Sequence, residues 1–133
     1  IIDMTFMLQK EVVERIVAPP GTKTYGRLSV VIQALFDTEL MFIVPKESFN
    51  PQPKIESAIL YLKTKSRPLV QDLKPLEEIV KLAFSQRRKT LKNCLKSVLD
   101  QSQTDIDLSQ RAEMLSLDNF VTLMNDYEKQ YRN

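Results

Sequence analysis

Between Glu78 and Asp100 the sequence holds no acidic residue, yet it carries Lys81, Arg87, Arg88, Lys89, Lys92 and Lys96. The ten acidic residues of segment 67–133 all lie outside that gap. If the segment is helical from about 88 to 99, Lys89, Lys92 and Lys96 fall at i, i+3 and i+7 and share one face. Leu91 and Leu95 would lie on the adjoining apolar stripe, so the same helix could bury leucines and present cations. A row of cations is what a phosphate backbone requires. Each neutralised phosphate releases condensed counterions, which drives binding and makes it salt-dependent. Arginine can also fork onto two phosphate oxygens. A solvated helix face of ordinary lysines fits the same pattern, and on charge alone it is the commoner arrangement.

A second group lies in Phe49-Asn50-Pro51-Gln52-Pro53-Lys54. Alternating prolines fix φ and push the residues before them toward extended conformations, which makes a stiff rim. An aromatic held on such a rim can stack on a nucleobase, and Lys54 could meet a phosphate beside it. Taken alone, a Phe49 packed on the core is the commoner outcome.

Composition narrows the remaining chemistry. The chain has 133 residues, 43% of them apolar, 27% charged, with a net charge of +2. That is ordinary globular composition for one compact domain, or a small domain with part of another. Histidine is absent and Cys94 is the one cysteine, so no metal-ligand cluster and no internal disulfide is expected. This fits a reducing cytoplasm. No apolar run approaches the roughly 20 residues of a membrane-spanning helix, and no membrane or metal partner is expected. The chain opens on Ile1-Ile2-Asp3 and runs directly into apolar residues, which predicts a fragment of a longer protein.

The elements that must position these groups fall into two textures. Residues 4–9 read as a short buried strand. Val12, Val13, Ile16 and Val17 form one helix face, ended by Pro19-Pro20-Gly21. Ser29 can open a helix over 29–36. Residues 38–44 and 57–63 read as strands around the proline-rich connection. After Lys65-Ser66-Arg67-Pro68 the pattern is helical throughout. Leu76, Ile79, Val80, Ala83 and Phe84 make a stripe with Pro75 in the first turn. Helix 88–99 follows, then a short helix capped at Asp107 or Ser109 that reaches Met114. A last helix is capped by Ser116 and runs to about Tyr131. The fold class is therefore α/β plus all-α: residues 1–66 as the end of an α/β sheet, residues 67–133 as a small helical domain.

Four motifs occur in order: Met7-Leu8-Gln9-Lys10-Glu11-Val12, Tyr25-Gly26-Arg27-Leu28-Ser29, Phe49-x-Pro51-x-Pro53-Lys54-x-x-Ser57, and Phe84-x-Gln86-Arg87-Arg88-Lys89-Thr90-Leu91. Together they resemble the C-terminal half of the ribosomal-RNA adenine N6,N6-dimethyltransferases, the family of the kasugamycin-sensitivity enzyme. The resemblance covers about residues 4 to 125. It implies a Rossmann-like methyltransferase domain followed by a small helical domain, with strands 38–44 and 57–63 as an antiparallel hairpin. It implies transfer of methyl groups from S-adenosylmethionine to N6 of two adjacent adenosines near the 3′ end of small-subunit rRNA, in ribosome biogenesis, with the precursor small subunit as partner. The target adenine would be flipped into a pocket with Phe49 as an aromatic wall. Arg27, Lys54, Arg87, Arg88, Lys89, Lys92 and Lys96 would be the RNA-facing groups.

The departure from the family is an absence. Its glycine-rich donor loop, its acidic residue for the donor ribose and its Asn-Leu-Pro-Tyr motif do not occur in these residues. Because the adenine N6 lone pair is delocalised into the ring, methylation depends on orienting the amine beside the sulfonium. The chain by itself is therefore expected to hold no catalytic or cofactor-binding residue and to be inactive. Two other readings stay open on the residues: a non-enzymatic nucleic-acid-binding module, related to organellar transcription factors of the same fold, and a helical interaction domain without a nucleic-acid role.

Overall fold

The computed structural model describes residues 2–131. A three-stranded antiparallel sheet of order β1-β3-β2 comes from β1 (Asp3–Gln9), β2 (Phe36–Val44) and β3 (Ser57–Thr64). The hairpin expected from 38–44 and 57–63 is present, and β1 pairs with its other side, from Asp3↔Lys63 to Gln9↔Ser57. Met41 is extra between Leu40↔Leu60 and Phe42↔Ile59, a bulge that shifts the alternation of β2 by one residue. Helices α1 (Lys10–Val17) and α2 (Arg27–Leu35) join β1 to β2 and pack on one sheet face. There Val13, Ile16, Ala58, Leu60 and Leu62 form a small core.

Strand 4–9 was expected to be buried, and it is not. Every residue of β1 is exposed or half-buried, and Met7 is 54% exposed. The two helices cover the face that carries Met4 and Leu8. On the opposite face Met7 pairs with Ile59 and Ile59 with Phe42. No element among the described residues covers that row. An apolar run thus marked a strand but not how much of it the rest of the chain covers.

The end of α1 follows from its residues. Ala18 precedes a proline and is extended at φ −60°, ψ 135°. The orphan carbonyls of Ile16 and Ala18 accept both hydrogens of the Gln33 amide, at 2.7 and 2.9 Å. Gly21 has φ +86°, a conformation that favours glycine. Helix α2 starts at Arg27, two residues before the expected Ser29. Gly26 occupies the cap position, and the buried Ser29 hydroxyl accepts from the Gly26 N–H while donating to the Arg15 carbonyl. The serine thus ties α2 to α1 from inside the first turn.

The second, larger core is helical: α3 (Leu73–Ala83), the short α4 (Leu91–Cys94) and α5 (Leu117–Tyr131). Asp72 caps α3 by accepting from Lys74 N–H, and Ser116 caps α5 by accepting from Asn119 N–H, each at 3.1 Å. Asn119 stands where a capping box would carry an acid three residues after the serine, and the Ser116 hydroxyl caps the helix without it. The expected helix reaching Met114 is a single 3-10 turn, Ala112–Met114, and Asp107 instead closes a local turn onto Ser109. The boundary near residue 66 is not a boundary of cores. Ala18, Tyr25, Val30 and Ala34 belong to the helical core, while Ile32 of the same α2 packs on the sheet core.

Tyr25 sits at the centre of that junction, fully buried, 6.1 Å from the Phe84 ring and 6.5 Å from that of Phe120. Its hydroxyl has no hydrogen-bond partner among the described residues, and burial pushes its pKa well above the usual tyrosine range. An unsatisfied buried donor costs about 1–3 kcal/mol. Tyr25→Phe is therefore expected to leave the protein as stable or up to about 1 kcal/mol more stable. A lowered urea midpoint for this variant would show that the hydroxyl has a partner in solution.

Candidate nucleic-acid interface

The cation-rich segment is not one helix. Phe84 ends α3, residues 85–89 form turns, with Lys89 N–H donating to Gln86 C=O at 2.9 Å, and α4 begins only at Leu91. Lys89 therefore does not share a helix face with Lys92 and Lys96, which remain one turn apart on α4 and the turn after it. The start of α4 is set by tertiary contacts. Leu91 and Lys92 N–H donate to the carbonyls of Gln110 and Leu108 at 2.9 and 2.8 Å. A helix whose first donors are satisfied by another segment starts where that segment lies. Leu91, Leu95 and Leu99 are buried as the periodicity predicts.

The charges remain outward. Lys81, Arg88, Lys89, Lys92 and Lys96 are exposed, and none has an ion-pair partner among the described residues. Arg87, immediately before Arg88, lines a cleft of about 250 Å³ together with Arg15, Gly26, Arg27, Ser29 and Phe84. Arg27 is exposed and without a partner among the described residues. The structure thus brings Arg27, from the α/β part, beside the turn carrying Arg88 and Lys89. Arg15 was not singled out from the sequence. Its signal was weak, because it lies at i+4 from Glu11 and pairs with it at 3.1 Å, the pattern of a solvated helix face.

Arg87 stands apart from its neighbours in the same motif. Its Nη2 donates to the carbonyls of Lys23 and Tyr25 at 3.0 and 2.8 Å. The guanidinium also lies 3.9 Å from the Glu113 carboxylate and 5.6 Å above the centre of the Phe84 ring.

The proline-rich connection forms a second group. Phe49 follows a 3-10 turn, Lys46–Ser48, and the Asn50–Pro51 peptide is cis. Phe49 is half-buried and, among the described residues, is not one of the side chains packed on either core. Lys54 borders a cavity of about 490 Å³ with Lys10, Lys46, Glu11, Glu14, Glu47 and Glu56. Lys10 and Glu56 pair at 3.8 Å. Three amines against four carboxylates leave this cavity with one negative charge in excess, unlike the unpaired cations around Arg88. Helix α1 links the two groups: its first turns line the Lys54 cavity, and Arg15 near its end lines the arginine cleft. Among the described residues no helix is long and apolar enough to cross a membrane.

Comparison with known proteins places this arrangement. A ribosomal RNA small subunit methyltransferase A from Francisella tularensis subsp. novicida is 53% identical over 131 residues, covering 94% of this chain and 50% of that protein. The same-named protein of F. tularensis subsp. tularensis strain SCHU S4 is 52% identical with the same coverage. The chain thus spans about half the length of these relatives. In fold it matches a dimethyladenosine transferase from Plasmodium falciparum, with a TM-score of 0.82 at 21% identity, covering 96% of this chain and 57% of that one. It also matches the 23S rRNA methyltransferase ErmE, with a TM-score of 0.68 at 20% identity, covering 95% of this chain and 55% of that one. These likenesses agree with the α/β-plus-helical class read from the sequence. The family model for ribosomal RNA adenine dimethylase matches residues 1–129, and the chain belongs to that family.

Proposed function

We propose that the chain is the RNA-facing half of an enzyme that dimethylates N6 of two adjacent adenosines near the 3′ end of small-subunit rRNA, with S-adenosylmethionine as methyl donor. The observation that carries the RNA role is the exposed set Arg88, Lys89, Lys92 and Lys96, without ion-pair partners among the described residues, in the segment that follows Arg87, which shares a cleft with Arg27. Residues 67–133 dock the RNA, and residues 1–66 supply the end of the catalytic sheet. Phe49 walls the flipped adenine, and Lys54 lies at the edge of that site. The family's donor loop and Asn-Leu-Pro-Tyr motif are not among the 133 residues, so no residue here is assigned to the donor. These residues alone are expected to transfer no methyl group. The partner is the precursor small subunit, and the location is the cytoplasm.

Phe49→Ala, made in the intact protein, tests the base-wall role together with the activity. Stacking on an aromatic contributes about 1–3 kcal/mol per base. The methylation rate should therefore fall roughly 5- to 100-fold, while RNA affinity, carried by phosphates, changes by less than about twofold. Equal losses in both would make Phe49 structural. Absence of dimethyladenosine with the unaltered intact protein would overturn the methyltransferase reading.

A further inference from the structure

We propose that Arg87 is a positioning residue rather than a phosphate ligand: it latches the 19–26 turn to the helical core and so sets the register between Arg27 and the Arg88–Lys89 turn. The inference deepens the RNA-facing reading above and rests on it for the register role. In sequence Arg87 is indistinguishable from Arg88, since both are exposed cations of one short motif. In the structure they differ.

Both hydrogens of Arg87 Nη2 are taken by carbonyls of the 19–26 turn, Lys23 at 3.0 Å and Tyr25 at 2.8 Å. Planar guanidinium suits such paired acceptors, whereas an ammonium offers a point charge. Glu113 closes the latch from the helical side. Its carboxylate lies 3.9 Å from Nη2, and its backbone carbonyl accepts from Gly21 N–H at 2.7 Å. The Phe84 ring supports the guanidinium from beneath. Gly26 leaves room for it, because a Cβ there would stand 3.3 Å from Nη1. The turn held in this way ends in Gly26, the residue immediately before Arg27 and the start of α2. The Arg27 side chain therefore inherits its position relative to Arg88 and Lys89 from Arg87.

Arg87→Gln and Arg88→Gln make opposite predictions for binding to a labelled RNA hairpin from the 3′ end of small-subunit rRNA. With the full chain well below its melting temperature, Arg87→Gln should weaken binding about tenfold without changing the slope of log K against log salt. Arg88→Gln should flatten that slope by about 0.7–0.9. Hydrogen exchange reads the latch without RNA: in Arg87→Gln the Gly21 and Tyr25 amides should exchange at least about tenfold faster, with α5 unchanged. Gly26→Ala perturbs the same contact with every charge kept. It should move exchange and affinity in the same direction and serves if Arg87→Gln does not fold. A slope reduced in Arg87→Gln as in Arg88→Gln would make Arg87 a phosphate ligand and overturn the proposal. Unchanged exchange would remove the latch, and faster exchange with unchanged affinity would reduce it to a purely structural tie. If Arg88→Gln changed neither affinity nor slope, the RNA reading would fail and take the register role with it, while the exchange measurement would still decide the latch.

Discussion

Replacing Arg88, Lys89 and Lys92 together by Gln is expected to weaken binding to small-subunit rRNA by roughly 10- to 100-fold at about 0.1 M salt and to flatten the salt slope by about two to three. The three side chains are exposed and have no ion-pair partner among the described residues. Their removal therefore frees no buried carboxylate and should leave folding within about 0.5 kcal/mol of the parent. Two independent quantities must then move together, affinity and slope, because each lost phosphate contact removes the counterions it would have released. Loss of affinity with an unchanged slope would mean that the substitutions act through structure. No change in either would return the segment to a solvated surface, the alternative that charge pattern alone left open. The measurement needs several salt concentrations, since one value cannot separate charge from shape.

How legible this surface was in the sequence depends on what each feature requires. Composition and spacing exposed the acid-free segment, because charge is a property of residues and not of their placement. The leucines at 91, 95 and 99 were legible for the same reason: burial of an apolar stripe follows from its period. The start of α4 was not legible. It is set by the carbonyls of Leu108 and Gln110, which meet Leu91 and Lys92 only in the folded chain. The predicted row of Lys89, Lys92 and Lys96 therefore broke at its first member. The division of labour between Arg87 and Arg88 was hidden more deeply. It depends on two backbone carbonyls more than 60 residues away in sequence, Lys23 and Tyr25, and a carbonyl leaves no trace in residue type.

The proline-rich rim shows the complementary case. Its stiffness was legible, since proline restricts its own backbone and that of the preceding residue. That Phe49 avoids both cores was not, because whether an aromatic packs inward depends on the space left by α1 and the sheet. The open row of Met7, Ile59 and Phe42 was likewise unreadable, as it reports which elements are present to cover a face.

Phe120→Ala is expected to cost about 3–5 kcal/mol, the largest stability loss we predict for the chain. Phe120 is fully buried on α5, its ring stacked 5.7 Å from that of Phe84 and 6.5 Å from that of Tyr25. Those rings come from three places: the turn before α2, the end of α3, and α5. Truncation therefore removes the shared partner of two aromatic contacts and opens a cavity at the point where the α/β part meets the helical core. Neighbours fixed on three separate elements cannot collapse into that space without moving a backbone, which places the cost toward the upper end of the range. A domain of this size is stable by only about 5–15 kcal/mol, so the melting temperature should fall by about 10–15 °C. Phe120→Leu, which keeps most of the volume, should lose no more than about 1.5 kcal/mol. The pair of variants separates volume from chain connectivity. If Phe120→Ala lost under about 1 kcal/mol, the aromatic trio would not be what joins the two parts. The placement of Arg27 relative to the turn that carries Arg87 and Arg88 would then depend on the Arg87 contacts alone.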